Sequence, residues 1–139
     1  MLEAKVSLLD GMEFVGTSSS GHKVTMDTSP AGGEQDKGPR PIELLLIALG
    51  GCTGMDVIGV LRKMRQNVTG YEIIVRGERA TEHPMVYTEI TVEHVVKGKD
   101  VSPDAVKRAV ELSETKYCSV GAMLGKAAKV THTYTVVDE

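Results

Sequence analysis

A chain of 139 residues, 41% apolar and 25% charged, has the size and composition of one soluble globular domain, with enough apolar material for a core that needs neither disulfides nor metal to fold. Sixteen Lys and Arg against 19 Asp and Glu give a net charge of −3, and no basic run stands out, which argues against nucleic acid or an anionic membrane surface as a partner. The longest apolar run, 42–49, contains Glu43 and stops at Gly50, short of a membrane span, and the first residues lack the apolar stretch of a signal peptide. A cytoplasmic location is expected, where two cysteines are more naturally chemical or buried than disulfide-bonded for structure.

In chain order, 4–9, 12–17 and 22–27 alternate as strands, with Asp10-Gly11 and 18–21 as turns, and predict a meander. The stretch 28–41, rich in Gly, Pro and charge, reads as a long loop. Pro41 suits the first turn of a helix that continues to about Arg65. Its segment 44–49 is apolar all round, which predicts a central helix covered on most sides. Gly50, Gly51, Gly54 and Gly59 each cost about 1 kcal/mol relative to Ala, so close approach of a second backbone is expected there. Residues 71–79 and 86–96 read as strands. Ser102-Pro103-Asp104 starts a second helix with Val106, Ala109, Val110, Ser113 and Tyr117 facing inward. That helix breaks at Cys118-Ser119 before a short helical piece, and 130–137 is a last strand. No internal repeat or second domain is visible, so a single domain over 1–139 is expected, of α+β class with a largely antiparallel sheet.

The chemistry rests on few residues. A thiol is nucleophilic only as thiolate, which helix starts, cations and partial exposure favour. Cys118 precedes Ser119, a candidate N-cap, and Lys116 is close in sequence, so a lowered pKa is expected for Cys118. Cys52, in mid-helix, gains little from the helix dipole and needs an imported cation or a hydrogen bond. Glu43 lies nine residues earlier, half a circumference and about 13 Å away on a straight helix, out of contact. Asp56, at i+4, shares the Cys52 face and, ionised, would raise the thiol pKa. The plainer alternative is that either cysteine is simply a small buried residue. His22, His94 and His132 fall on the apolar parity of their strands and could converge on zinc, but no metal-ligand spacing supports this, and structural roles are expected. Gly32-Gly33 lacks the pattern of a phosphate loop. Lys107, Arg108, Glu111 and Glu114 read as the wet side of a helix.

Pro41-Ile-Glu-Leu-Leu-Leu-Ile-Ala-Leu-Gly-Gly-Cys52, followed some 60 residues later by Tyr117-Cys118-Ser-Val, resembles the OsmC/Ohr family, the osmotically inducible and organic-hydroperoxide-resistance proteins. Ser20-Gly-His22, Gly50-Gly-Cys-Thr-Gly-Met-Asp-Val57 and Thr131-His-Thr-Tyr-Thr-Val-Val resemble its YhfA-like branch. The resemblance implies an OsmC-like fold: N-terminal antiparallel strands, a long central helix, further strands and a broken second helix, in an intertwined homodimer with active sites at the interface. It also implies a cysteine peroxidase, acting on organic hydroperoxides or hydrogen peroxide in the oxidative stress response. Cys52 would be the peroxidatic and Cys118 the resolving residue; a small dithiol would be the reductant, with no metal, haem or flavin. The sequence departs from the Ohr pattern at three points. Residues 1–39 contain no arginine, Ile42 rather than Glu43 follows Pro41, and Cys118 is followed by Ser119 rather than proline. Arg40 or Lys116 are the candidate replacement cations, with Glu43 and Asp56 as further supporting residues. The alternatives are a non-catalytic small-molecule-binding or redox-sensing protein on the same scaffold and, third, a metal-binding module.

Overall fold

The structure is a computed structural model that describes residues 1–28 and 36–139, which fall into two compact units, Met1–Leu45 and Leu46–Glu139. The middle of the expected loop, with Gly32-Gly33, lies outside the described residues.

In the first unit, β1 (Lys5–Leu8), β2 (Phe14–Thr17) and β3 (Lys23–Met26) form the expected antiparallel meander. The first turn needs a left-handed residue and has it in Gly11, at φ +58°. Helix α1 (Pro41–Lys63) starts here. Pro41 takes the first position, where its missing N–H is harmless, and the Glu43 carboxylate accepts the Arg40 N–H at 2.7 Å, half of a capping box. The helix carries the chain into the second unit and ends at Lys63; just beyond it, Arg65 at φ +57° lets the Gln66 N–H close back on the Leu61 carbonyl at 2.9 Å.

The second unit is a sheet in the order β4 (Val68–Arg79), β5 (Tyr87–Gly98), β6 (Lys129–Asp138) with helices α2 (Pro103–Leu112) and α3 (Ser119–Leu124) between its last two strands. Two three-stranded sheets thus replace the single one expected, and β5 and β6 run parallel, Glu89 beside Lys129 through to Gly98 beside Asp138. A parallel pair requires a long crossover, and the helical segment between β5 and β6 is that connection. Helix α2 begins as read, with the Ser102 side chain accepting the Ala105 N–H at 3.2 Å and Pro103 next to it. Val57 and Leu61 of α1, Val96 of β5 and Val106, Ala109 and Val110 of α2 form the core. Each fully buried Val or Leu there contributes about 1.5–3 kcal/mol of transfer free energy.

Helix α1 is less enclosed than expected. It buries Leu49, Thr53, Gly54, Val57 and Leu61, one face only, and leaves Ile47 and Met55 mostly exposed. What approaches its glycines is side chain, not backbone: a Cβ on Gly54 would meet Ile73 Cδ1 at 2.6 Å and one on Gly50 would meet Val75 Cγ2 at 3.2 Å, whereas Gly51 and Gly59 face open space. By length and composition alone α1 is able to cross a membrane, contrary to the sequence expectation, because glycines interrupt the large apolar residues without making the segment polar. Its packed face and the hydrogen bonds of Thr53 are those of a core helix.

A polar diagonal crosses the second sheet. Tyr71 Oη on β4 lies 2.6 Å from His94 Nδ1 on β5, and His94 Nε2 lies 2.9 Å from His132 Nδ1 on β6, with the rings stacked. His94 is fully buried, and burial, with His132 adding to it, pushes its pKa from 6.5 down to about 4. A depressed histidine contributes stability that is present above pH 6.5 and lost as the pH falls through 4. Stability to urea should therefore decline between pH 6.5 and pH 4 by on the order of 1–3 kcal/mol. The decline should be shallower in His94→Gln; an unchanged slope would refute the assignment.

Candidate functional site

Cys52 and Cys118 come together in the second unit. α1 presents Cys52, half-buried, on the turn between Leu49 and Asp56. The chain reaches it through an irregular corner: after α2 the helix widens into a π turn, Ser113–Tyr117, closed by the Cys118 N–H on the Ser113 carbonyl at 2.8 Å. Such one-residue expansions recur at functional positions. Cys118 then leaves helical geometry (φ −76°, ψ 100°) and itself caps α3, its sulfur accepting the Gly121 N–H at 3.3 Å. Gly121 leaves room for that sulfur, since a Cβ there would sit 3.2 Å from it. The two sulfurs and an Asp56 carboxylate oxygen all lie within 4.8 Å of one another.

The two thiols differ in acidity: Cys52 has the hydrogen bonds it was expected to need, and the lowered pKa expected for Cys118 is not found. Burial pushes Cys52 up, but hydrogen bonds from the Val120 N–H, the Cys118 thiol and the Ser119 side chain outweigh it, and the Cys52 pKa falls below the ordinary thiol value despite the nearby Asp56 charge. Burial pushes Cys118 up to about 11; the hydrogen bond to Cys52 and the Cys52 and Asp56 charges add to this, against the Gly121 N–H. The start of α3 therefore serves Cys52, across the gap, more than the cysteine that caps it. Asp56 opposes both thiolates, as its i+4 position implied. It is held by Ser113, whose hydroxyl donates to Asp56 Oδ2 at 3.0 Å and lies 2.8 Å from the buried Thr53 Oγ1.

The other residues singled out from the sequence lie in different contacts. The Arg40 guanidinium grips Asp36 with two hydrogen bonds of 2.7 Å, and Glu43 accepts the Arg40 N–H. Lys116 Nζ stands 5.3 Å from the centre of the Tyr117 ring. Among the described residues no lysine or arginine is a cause of the Cys52 shift; hydrogen bonds take that part. The histidines do not form the three-membered zinc group considered above: His94 and His132 bond to each other and to Tyr71, and His22 is exposed in the turn before β3. Among the described residues the one group of three donors close enough to share a metal ion is Cys52, Asp56 and Cys118, a soft but incomplete set.

Three participants escaped the sequence reading. The Val120 N–H has no side-chain signature. Ser113 was placed on the inner face of α2, but its link to Asp56 depends on how α2 docks. Tyr71 did carry a signal, a polar-tipped aromatic on the same strand parity as Ile73, which pairs with His94.

Residues 33–133 match the family of OsmC-like proteins. The chain is 44% identical over 136 residues to Protein YhfA of Escherichia coli strain K12, with 98% of each chain covered. A solved structure of a hypothetical protein from Aquifex aeolicus is 34% identical and superposes with a TM-score of 0.88, over 100% of this chain and 98% of that one. The organic hydroperoxide resistance protein OhrB of Bacillus subtilis shares the fold at 16% identity, with a TM-score of 0.65 over 97% and 98% of the two chains. The family match over most of the chain and the end-to-end likeness to YhfA place this protein in the OsmC family.

Proposed function

We propose that this protein is a cysteine peroxidase that reduces organic hydroperoxides or hydrogen peroxide in the cytoplasm. The observation that carries the reading is two sulfurs within 4.8 Å, with hydrogen bonds lowering the pKa of one and burial raising that of the other. The Cys52 thiolate attacks the terminal oxygen of R–O–O–H; the O–O bond breaks, the alcohol leaves with a proton, and Cys52 becomes sulfenic acid. The Cys118 sulfur, already hydrogen-bonded to Cys52, then attacks the Cys52 sulfur. Water leaves, and a Cys52–Cys118 disulfide remains, to be reopened by a small dithiol. The name of the OhrB relative is consistent with this chemistry. The chain's own side chains suffice for these steps, without a metal or other cofactor.

A second reading, a redox sensor or small-molecule binder, draws on Asp56, whose charge opposes the thiolate where no lysine or arginine among the described residues supports it. Cumene hydroperoxide consumption with dihydrolipoate should be lost in Cys52→Ser, and a peroxide pulse should yield a Cys52–Cys118 peptide in the unmodified protein. Equal rates for the two proteins would remove the peroxidase reading.

Acidity offers a separate test. At pH 7 iodoacetamide should modify Cys52 and spare Cys118, and Asp56→Asn should shift the Cys52 titration to still lower pH, since a like charge is removed. Preferential labelling of Cys118 would reverse the assigned roles.

Homodimerisation belongs to the same proposal. Ile47, Gly51 and Met55 recur every fourth residue along α1 as an exposed stripe, 62% exposed at Ile47 and 77% at Met55. Ile47→Glu with Met55→Glu should turn a dimer into a monomer in sedimentation equilibrium; a monomeric unmodified protein would refute it.

A further inference from the structure

Cys118 faces a second space that Cys52 does not line. A cavity of about 270 Å³ lies between the π turn, α3 and the start of β6, bounded by Glu114, Cys118, Gly121, Lys129 and His132 among others. We propose that this cavity admits the thiol that reopens the Cys52–Cys118 disulfide, that the thiol attacks Cys118 rather than Cys52, and that His132 takes its proton. The proposal rests on the preceding reading only in requiring that the two cysteines join.

Three independent features support it. The cavity itself is the first: Cys118 is buried and Cys52 half-buried, but of the two only Cys118 stands in the wall of this space. The second is the leaving group. Attack on Cys118 expels the Cys52 thiolate, which hydrogen bonds from the Val120 N–H and the Ser119 side chain already favour; attack on Cys52 would expel the thiolate that burial disfavours. The third is a base held in place. His132 Nδ1 is tied to His94 and His94 to Tyr71, so Nε2 is the ring nitrogen left unengaged by the diagonal. Two tautomers satisfy both contacts, and the proposed step uses the one in which His132 Nδ1–H donates to His94 Nε2 and His94 Nδ1–H donates to Tyr71 Oη, so that His132 Nε2 keeps its lone pair. Burial lowers the His132 pKa, while the charge of Glu114 in the same wall acts the other way and favours the imidazolium once a proton arrives.

The steps balance for a dithiol, HS–R–SH. Its first thiol gives a proton to His132, and the resulting thiolate bonds to Cys118 as Cys52 departs with the electron pair of the broken S–S bond. Its second thiol loses its proton to solvent and, as thiolate, attacks the first sulfur, closing a cyclic disulfide. Cys118 leaves and takes the proton held by His132, as its reluctance to ionise requires. Two electrons pass from the dithiol to the cysteine pair.

The test forms the disulfide with diamide, so that it does not depend on peroxide turnover. The oxidised protein is treated with 2-mercaptoethanol in the presence of excess iodoacetamide, quenched in acid and mapped by mass spectrometry. The expected product carries mercaptoethanol on Cys118 and carbamidomethyl on Cys52; the reverse pattern overturns the proposal. In His132→Gln the rate of this opening should fall roughly tenfold or more at pH 6.5, and the gap should close near pH 9, where the reagent thiol ionises unaided. The titratable and charged groups around His132 are His94, hydrogen-bonded to it, and Glu114, Lys129 and Cys118 in the cavity wall; burial displaces His94 down to about 4, below this range, and Cys118 up to about 11, above it. An equal rate at pH 6.5 removes His132 from the step. Failure to consume peroxide alongside a Cys118 adduct would remove the peroxidase reading and leave this one; failure of diamide to join the cysteines would remove both.

Discussion

Between α2 and α3 the chain turns a corner directly against the middle of α1, and the approach of that corner to Cys52 is the contact on which the site depends. A thiol in the centre of a helix has no free backbone N–H of its own helix to stabilise its charge. Here the donors come from the facing corner: the Val120 N–H, the Ser119 side chain and the Cys118 thiol. The π turn at Ser113–Tyr117 sets where that corner falls, because one additional residue in the turn changes which side chain leads into α3. The same geometry that delivers the second sulfur thus prepares the first.

Asp56 and Ser113 tie this corner to the helix. A carboxylate beside two thiols works against their ionisation, yet its hydrogen bond from Ser113, which also meets the buried Thr53, joins α1 to the end of α2 where the corner begins. A net hydrogen bond of this kind contributes about 1 kcal/mol, and removal of one partner costs more because the others are left in a dry interior. The electrostatic disadvantage for Cys52 and the positional advantage for Cys118 come from one side chain. The hydrogen bonds at Cys52 are strong enough to win, and its acidity shifts down.

Across the sheet, the Tyr71–His94–His132 diagonal places three polar groups where aliphatic side chains would pack. Both ring nitrogens of His94 have a partner, which is why a fully buried histidine is tolerated between the strands. Its end at His132 opens on the cavity beside Cys118, so the polar interior of the sheet and the second thiol share one wall.

Much of this was legible in the residues. Alternation at β1 to β6, the Pro41 and Ser102-Pro103 helix starts and the break at Cys118 follow from local rules, because strand and helix periods and caps depend on near neighbours. The two cysteine contexts pointed to the family, and the i+4 spacing put Asp56 beside Cys52. What local rules could not decide was everything set by docking: the parallel pairing of β5 and β6, the one-sided cover of α1, the meeting of Tyr71, His94 and His132, and which cysteine is the more acidic. For the last, the lowering expected of Cys118 falls to Cys52. Proximity in sequence assigned the start of α3 to Cys118, whereas an amide stabilises whichever sulfur it points at, and only the packing of that corner against α1 directs the Val120 N–H to Cys52.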